Sequence, residues 1–162
     1  MGNCMGRIVT ASALFALAFA SNVGAEEQDT VEAYNARMID VGAKARAAVE
    51  GCEAKRKEGE LTSEAAVVEC ANPQLLAAYI DARVLYLDLT KLWLAAKLDA
   101  AKKLDKGDIT RAQYDLDLSE WRLKIASEEE RRKKAAVDTS AGREPEPHTP
   151  TCYAFGTDKY CL

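Results

Sequence analysis

A single histidine, His148, serves the whole chain of 162 residues, and that scarcity removes much of the chemistry open to a protein of this size. A hydroxyl or thiol nucleophile needs a positioned base to take its proton. His148 stands instead among Pro145, Pro147 and Pro150, in a segment that reads as an extended linker. No Cys-x-x-Cys occurs, which argues against a thiol–disulfide catalyst, and no close cysteine pair is accompanied by histidines in a zinc-ligand pattern. A glycine-rich phosphate loop is missing too. Beyond residue 25 no apolar run nears the roughly 20 residues that a membrane-spanning helix needs. Positive charge is also in deficit: 22 Lys and Arg face 26 Asp and Glu, a formal net charge of −4. That sign argues against nucleic acid and against anionic membrane surfaces as partners.

Carboxylates are what remains for chemistry. Asp81 and Asp88, on what reads as one long helix, would share a face and could hold a divalent cation or serve glycoside cleavage. Arg83, Lys91, Lys97 and Lys102 are interspersed with them, and no Glu-x-x-His accompanies them as in bundle metal sites. They read as surface charges. No catalytic, cofactor-binding or metal residue is assigned, and no cofactor is expected.

The first 25 residues have the parts of a signal peptide. Arg7 is the basic start, Ile8 to Ala20 an uncharged apolar run, and Val23-Gly24-Ala25 a small-residue cleavage site, with Ala18-Phe19-Ala20 the alternative. The run is too short to span a bilayer core of about 30 Å as a helix. Cys4 leaves with the leader, as does Arg7, so the mature chain is one unit more negative. Four cysteines remain: Cys52, Cys70, Cys152 and Cys161. An even number behind a signal peptide reads as a disulfide framework with three connectivities.

Helical periodicity dominates the rest. Val31, Tyr34, Met38, Val41, Ala45, Ala48 and Cys52 step by threes and fours along a first helix capped by Asp29 or Thr30. Lys57–Thr62 and Asp105–Thr110 match each other as helix stop and start, with Gly59 and Gly107 closing one helix and Thr62 and Thr110 capping the next. Gln113 would complete a capping box with Thr110. A short helix is expected over residues 63–71. Asn72-Pro73 would then start the longest one, reaching Lys106, whose centre carries so many apolar residues that more than one side must be covered. The last helix is expected from Arg111 to about Val137. Its Glu128–Lys134 charge run reads as a solvated helix end. Tyr79, Tyr86 and Trp93 recur every seven residues, as do Tyr114 and Trp121. Such lines could border an apolar groove, but bundle core is the expectation.

Antiparallel elements around the Gly59 turn favour Cys52 pairing with Cys70, leaving Cys152 to close a hairpin with Cys161 across Gly156. Tyr153, Phe155 and Tyr160 on this tail are candidates for contact with a partner.

Two resemblances bear on this layout. Leu61-Thr62 to Ala65, and more fully Ile109-Thr110-Arg111-Ala112-Gln113, resemble the Leu-Thr-x-x-Gln boxes of periplasmic chaperones of the Spy and CpxP type, which implies client binding. The stem ending in Cys-x3-Gly-x4-Cys resembles small exported helical proteins of alphaproteobacteria, which implies a Gram-negative periplasm and no particular activity.

The expected fold is all-α: a three-helix antiparallel bundle with a short extra helix and a C-terminal disulfide-closed hairpin tail. Residues 1–25 are the signal peptide, 26–137 the helical bundle, 138–150 the Pro-rich linker and 151–162 the tail. The expected role is a non-enzymatic protein-interaction or structural module of the periplasm or the secreted fraction, with a protein partner, no nucleic acid and no stable membrane insertion. A chaperone-like client binder stands second, and a carboxylate-dependent metal binder or envelope enzyme third; surplus apolar positions leave a homodimer open. Intact mass measurement of the native protein is expected to show a chain starting after Ala25 with all four remaining thiols oxidised. A Met1 start, or alkylation of four thiols without reduction, would remove the export reading.

Overall fold

The structure, a computed structural model, describes residues 30–144 and 147–162. The expected signal peptide lies outside the described residues, as do Pro145 and Glu146 of the expected linker. Four helices, α1 (Val31–Lys57), α2 (Glu64–Asp81), α3 (Leu87–Lys106) and α4 (Arg111–Ser140), precede a hairpin of β1 (Cys152–Phe155) and β2 (Asp158–Cys161).

Local chemistry sets most helix ends. The Thr30 hydroxyl accepts from the Ala33 N–H at 3.1 Å, as an N-cap should. Gly59 and Gly107, at φ of +84° and +77°, close α1 and α3 by the same pair of backbone bonds. Gly59 donates to Arg56 and Glu60 to Lys55; Gly107 donates to Leu104 and Asp108 to Lys103. The cap of α2 is Ser63, which accepts from Ala66 at 3.1 Å, one residue later than the expected Thr62. Asp105 supports that start from the end of α3, taking the Glu64 and Ala65 N–H groups at 2.9 and 2.7 Å. The two matching turns therefore lie side by side. Thr110 caps α4 through Gln113 N–H at 3.2 Å. The Gln113 side chain turns to Asp117 at 2.8 Å, so only half of the capping box forms.

The largest correction is at Asn72-Pro73, where no helix begins. α2 runs straight through Pro73, because Val67, Val68, Ala71, Leu75 and Ala78 form one buried seam on both sides of it. Burying a Leu or Val side chain is worth about 1.5–3 kcal/mol, so this seam outweighs the ~3 kcal/mol that an interior proline costs. The Asn72 side chain donates to the Leu94 carbonyl at 3.1 Å instead of capping. The real break follows Asp81. Arg83 takes the left-handed conformation (φ +53°) and closes α2 as a glycine would, with Arg83 N–H on Ile80 and Val84 N–H on Tyr79. The excess of apolar residues at 84–87 is thus relieved by a turn. In place of one short and one long helix there are two of 18 and 20 residues.

Each helix packs on the one before it, whereas α1 and α4 form no packed interface among the described residues. The Cys52–Cys70 disulfide, with Cα atoms 6.0 Å apart, ties α1 to α2, and Cys52 sits in a core cluster with Val67, Ala71, Leu75 and Leu94. A second cluster joins α2, α3 and α4 through Val68, Ala100, Ala101, Tyr114 and Leu118. α4 reaches Ser140, three residues into the expected linker. In the tail Cys152 pairs with Cys161 both in register and by a disulfide. The tail does not hang free: Leu162 is buried against Leu89 and Leu92, with Tyr153, Phe155 and Tyr160 packed on the same cluster.

Arg83 is the one described non-glycine residue at positive φ, a conformation that costs an L-residue about 1–2 kcal/mol. Arg83→Gly is expected to raise stability by about 0.5–1 kcal/mol, after allowance for glycine's extra freedom when unfolded. The check is a higher urea midpoint at an unchanged m-value.

Candidate functional site

The candidate site lies beside the α2–α3 turn, where α1 and α4 are not packed on each other. α1 and α4 have 27 and 30 residues against 18 and 20 for α2 and α3. The α1–α2 and α3–α4 turns are tied at one end of the bundle, so the first third of α1 and the last third of α4 overhang the α2–α3 turn. Each overhang is roughly 13 Å at 1.5 Å per residue. Inside these overhangs, between the first third of α1 and the middle third of α4, opens a cavity of about 490 Å³, within the range of ligand pockets. Tyr34 and Met38 line it from α1, and Ile125, Ala126, Arg122 and Glu129 from α4. Tyr79, the turn residues Val84–Tyr86, and Leu89, Thr90 and Trp93 make the floor.

Arginines pin both walls to the α2–α3 turn. From α1, Arg37 Nε donates to the Ala82 carbonyl at 3.0 Å, and its guanidinium lies 5.8 Å from the Tyr34 ring centre. From α4, Arg132 reaches Asp88 at 2.7 Å and lies 5.5 Å over Tyr86. Arg132 is itself held by Glu128, at 2.6 Å, which Arg131 also grips with two bonds of 2.7 Å. Glu128 is only 6% exposed. The Arg131 hydrogen bonds, seconded by Arg132, outweigh its burial and hold its pKa at about 2. The charge run expected to be a solvated helix end therefore contains one buried carboxylate.

The opposite end of the α1–α4 gap is closed by charge. Glu64 at the start of α2 accepts from Arg56 of α1 at 3.0 Å and from Arg111 of α4 at 2.9 Å, with the Tyr114 hydroxyl at 3.5 Å. Burial pushes the Glu64 carboxyl up, but the two guanidiniums overcome it and keep it below the ordinary range. Burial and the neighbouring Glu64 push Tyr114 up to about 12. Between the two ends, Arg122 lies 5.3 Å over Trp93. Lys97, one turn further along α3, is half-buried, and burial together with Arg122 lowers its pKa against the pull of Glu64 and Glu53.

Cys52, Cys70, Cys152 and Cys161 form the two local disulfides. Tyr153 and Phe155 lie edge-on to Trp121, at 4.7 and 5.6 Å between ring centres, and Tyr160 follows Phe155 at 6.2 Å; all three rings turn onto the bundle. Asp81 and Asp88 do not share a helix face: the turn separates them, and Asp88 pairs with Arg132. Among the described residues no group of three or more His, Cys, Asp and Glu is placed to hold a metal ion. Tyr79, Tyr86 and Trp93, expected as core, line the cavity, whereas Tyr114 is buried in the core. Tyr34 and Met38 read as ordinary seam residues. Glu129 belonged to the charge run and forms the pair with Lys133 that its spacing implied, whereas Arg122 carried no signal of its own.

Because folding depresses the Glu128 pKa, its contribution is full above the unfolded value near 4.5 and is lost as pH falls toward about 2. Glu128→Gln is expected to lower stability at pH 7 by about 1–3 kcal/mol, and the gap to the parent should close as both are titrated to pH 2. Urea unfolding across that range reads it; a constant gap would mean that the carboxylate charge is not what matters.

No family model, curated protein or solved structure matches this chain, so the functional reading rests on the cleft itself.

Proposed function

We propose that this protein is an exported, non-enzymatic interaction module that receives apolar side chains of a protein partner in the cleft between α1 and α4. The observation that carries this reading is the aromatic cavity of about 490 Å³, open where the two outer helices part. Its surroundings extend the same chemistry. Of the seven large hydrophobic residues exposed among those described, Val31, Ile39, Ile80, Leu85 and Val137 belong to the overhangs and the α2–α3 turn region. Apolar surface gathered at one end of a bundle is a feature of interaction sites, and an aromatic-lined pocket ringed by weaker contacts is how protein hot spots are built.

Export is supported by the two disulfides, which persist in oxidising compartments, and by the signal-like residues 1–25. No described helix is long and apolar enough to cross a membrane. The tail is the weaker candidate for partner contact, since its rings are already engaged by Trp121.

A photo-cross-linking side chain placed at Leu85, 69% exposed at the cleft mouth, is expected to give one or a few discrete protein adducts in intact cells. The same group at Lys57, on the far turn, should give none of them. Met38→Lys, on the cavity wall, should cut the Leu85 adducts roughly tenfold, the loss of about 1.4 kcal/mol of binding, with the melting temperature as the control for folding. Identical adducts from Lys57, or adducts indifferent to Met38→Lys, would overturn the cleft as the site. A continuum of adduct masses would point to a chaperone that holds many clients.

A further inference from the structure

We infer that the partner segment entering the cleft is acidic as well as apolar: its apolar side chains fill the aromatic cavity while one of its carboxylates comes to rest between Arg122 and Lys97. The inference rests on the cleft being the partner site and adds the chemistry of what it selects.

Charge along the cleft is uneven. At its outer end the one lining carboxylate, Glu129, is held by Lys133 at 2.8 Å. At its inner end Arg122 lines the cavity beside Trp93, and Lys97 stands one helical turn beyond that ring. Among the described residues neither cation has a carboxylate at ion-pairing distance. The acids facing Lys97 from the other helices are already committed: Glu53 of α1 to Arg56 at 2.7 Å, and Glu64 of α2 to Arg56 and Arg111. Asp115 lies two turns before Arg122 on α4, roughly 10 Å away along the axis, and acts on Arg111 and Tyr114.

Exposed Arg122 and half-buried Lys97 repel each other, and Lys97 has given up part of its hydration without gaining a counter-ion. An arriving carboxylate would relieve both costs, and a guanidinium stacked on an aromatic ring keeps its N–H edge free to bind one. The occupant is a polypeptide segment rather than a small acid, because the apolar surface does not stop at the cavity: Leu85 and Ile80, 69% and 50% exposed, continue it outward over the turn. Acid recognition at such a place favours the right partner more than it adds affinity.

Three Leu-rich amphipathic helical peptides, identical except for a Glu, Gln or Lys at one edge of the apolar face, test this. Binding to the disulfide-intact protein is followed through the Trp93 indole N–H resonance. The Glu peptide is expected to bind about tenfold tighter than the Gln peptide at low ionic strength, and the Lys peptide weakest of all. In an Arg122→Gln, Lys97→Gln double variant with an unchanged melting temperature, the Glu and Gln peptides should differ by no more than about twofold. Equal binding of Glu and Gln peptides to the parent protein, with Trp93 shifting, would remove the acid preference and leave the cleft as the site. A Glu preference that survives in the double variant would overturn the assignment to these two cations. No Trp93 shift with any peptide would overturn the cleft itself, and a shift with dodecanoate alone would replace the polypeptide by a small amphipathic acid.

Discussion

Two short helices held between two long ones cannot fill the space between the far ends of the long ones. Here α1 and α4 exceed α2 and α3 by about a third of their length, and all four are gathered at the turn end. Asp105 reaches across to the start of α2, and Glu64 bridges Arg56 and Arg111. Charge holds that end because four helix termini meet there, and each leaves backbone groups that need partners. The excess length must appear at the other end, as two walls with nothing between them but the α2–α3 turn.

Projecting walls of this kind would fray if left to helix propensity, since most helical stability in proteins comes from packing. Arginine supplies the packing substitute. Arg37 on one wall and Arg132 on the other bind the backbone or side chains of the turn region while stacking on Tyr34 and Tyr86. The same rings line the cavity. Wall rigidity and cavity chemistry are therefore one arrangement, in which the guanidinium lies over the ring and the ring still borders the cavity. Glu128 completes it on the α4 side by fixing Arg132 from within the same helix.

How much of this was legible depended on whether the deciding interaction was local. Thr30, Gly59, Gly107 and Thr110 announce helix ends through chemistry that acts over three or four residues. The cysteines pair with neighbours 18 and 9 residues away in sequence. Asn72-Pro73 misled because a strong local stop signal lost to burial on both sides of it, which only the packed fold reveals. Arg83 could not be seen at all: nothing about an arginine announces left-handed backbone. The aromatic spacing of Tyr79, Tyr86 and Trp93 was visible, but spacing tells which residues point one way and not whether another helix covers them. The cleft is the case where none does, because α1 and α4 form no packed interface over these rings among the described residues.

The disulfide tail belongs to the cleft through its floor. Leu89 and Ile125 line the cavity, and both also pack in the cluster that Leu162, Tyr153, Phe155 and Tyr160 build from the other side. Leu89 is thus a partition, one side toward the cleft and the other toward the tail. Without the tail its second side would face water, and burying a leucine is worth about 1.5–3 kcal/mol, enough to draw it and its neighbours into a different packing. A twelve-residue segment, residues 151–162, is too short to hold such a position by its own hydrogen bonds. The Cys152–Cys161 bridge makes it a preformed plate that loses little entropy on docking, and Trp121 gives it an aromatic seat. The second disulfide thus holds the floor of the cavity from behind, and the aromatic residues of the tail are packed onto the bundle that forms it.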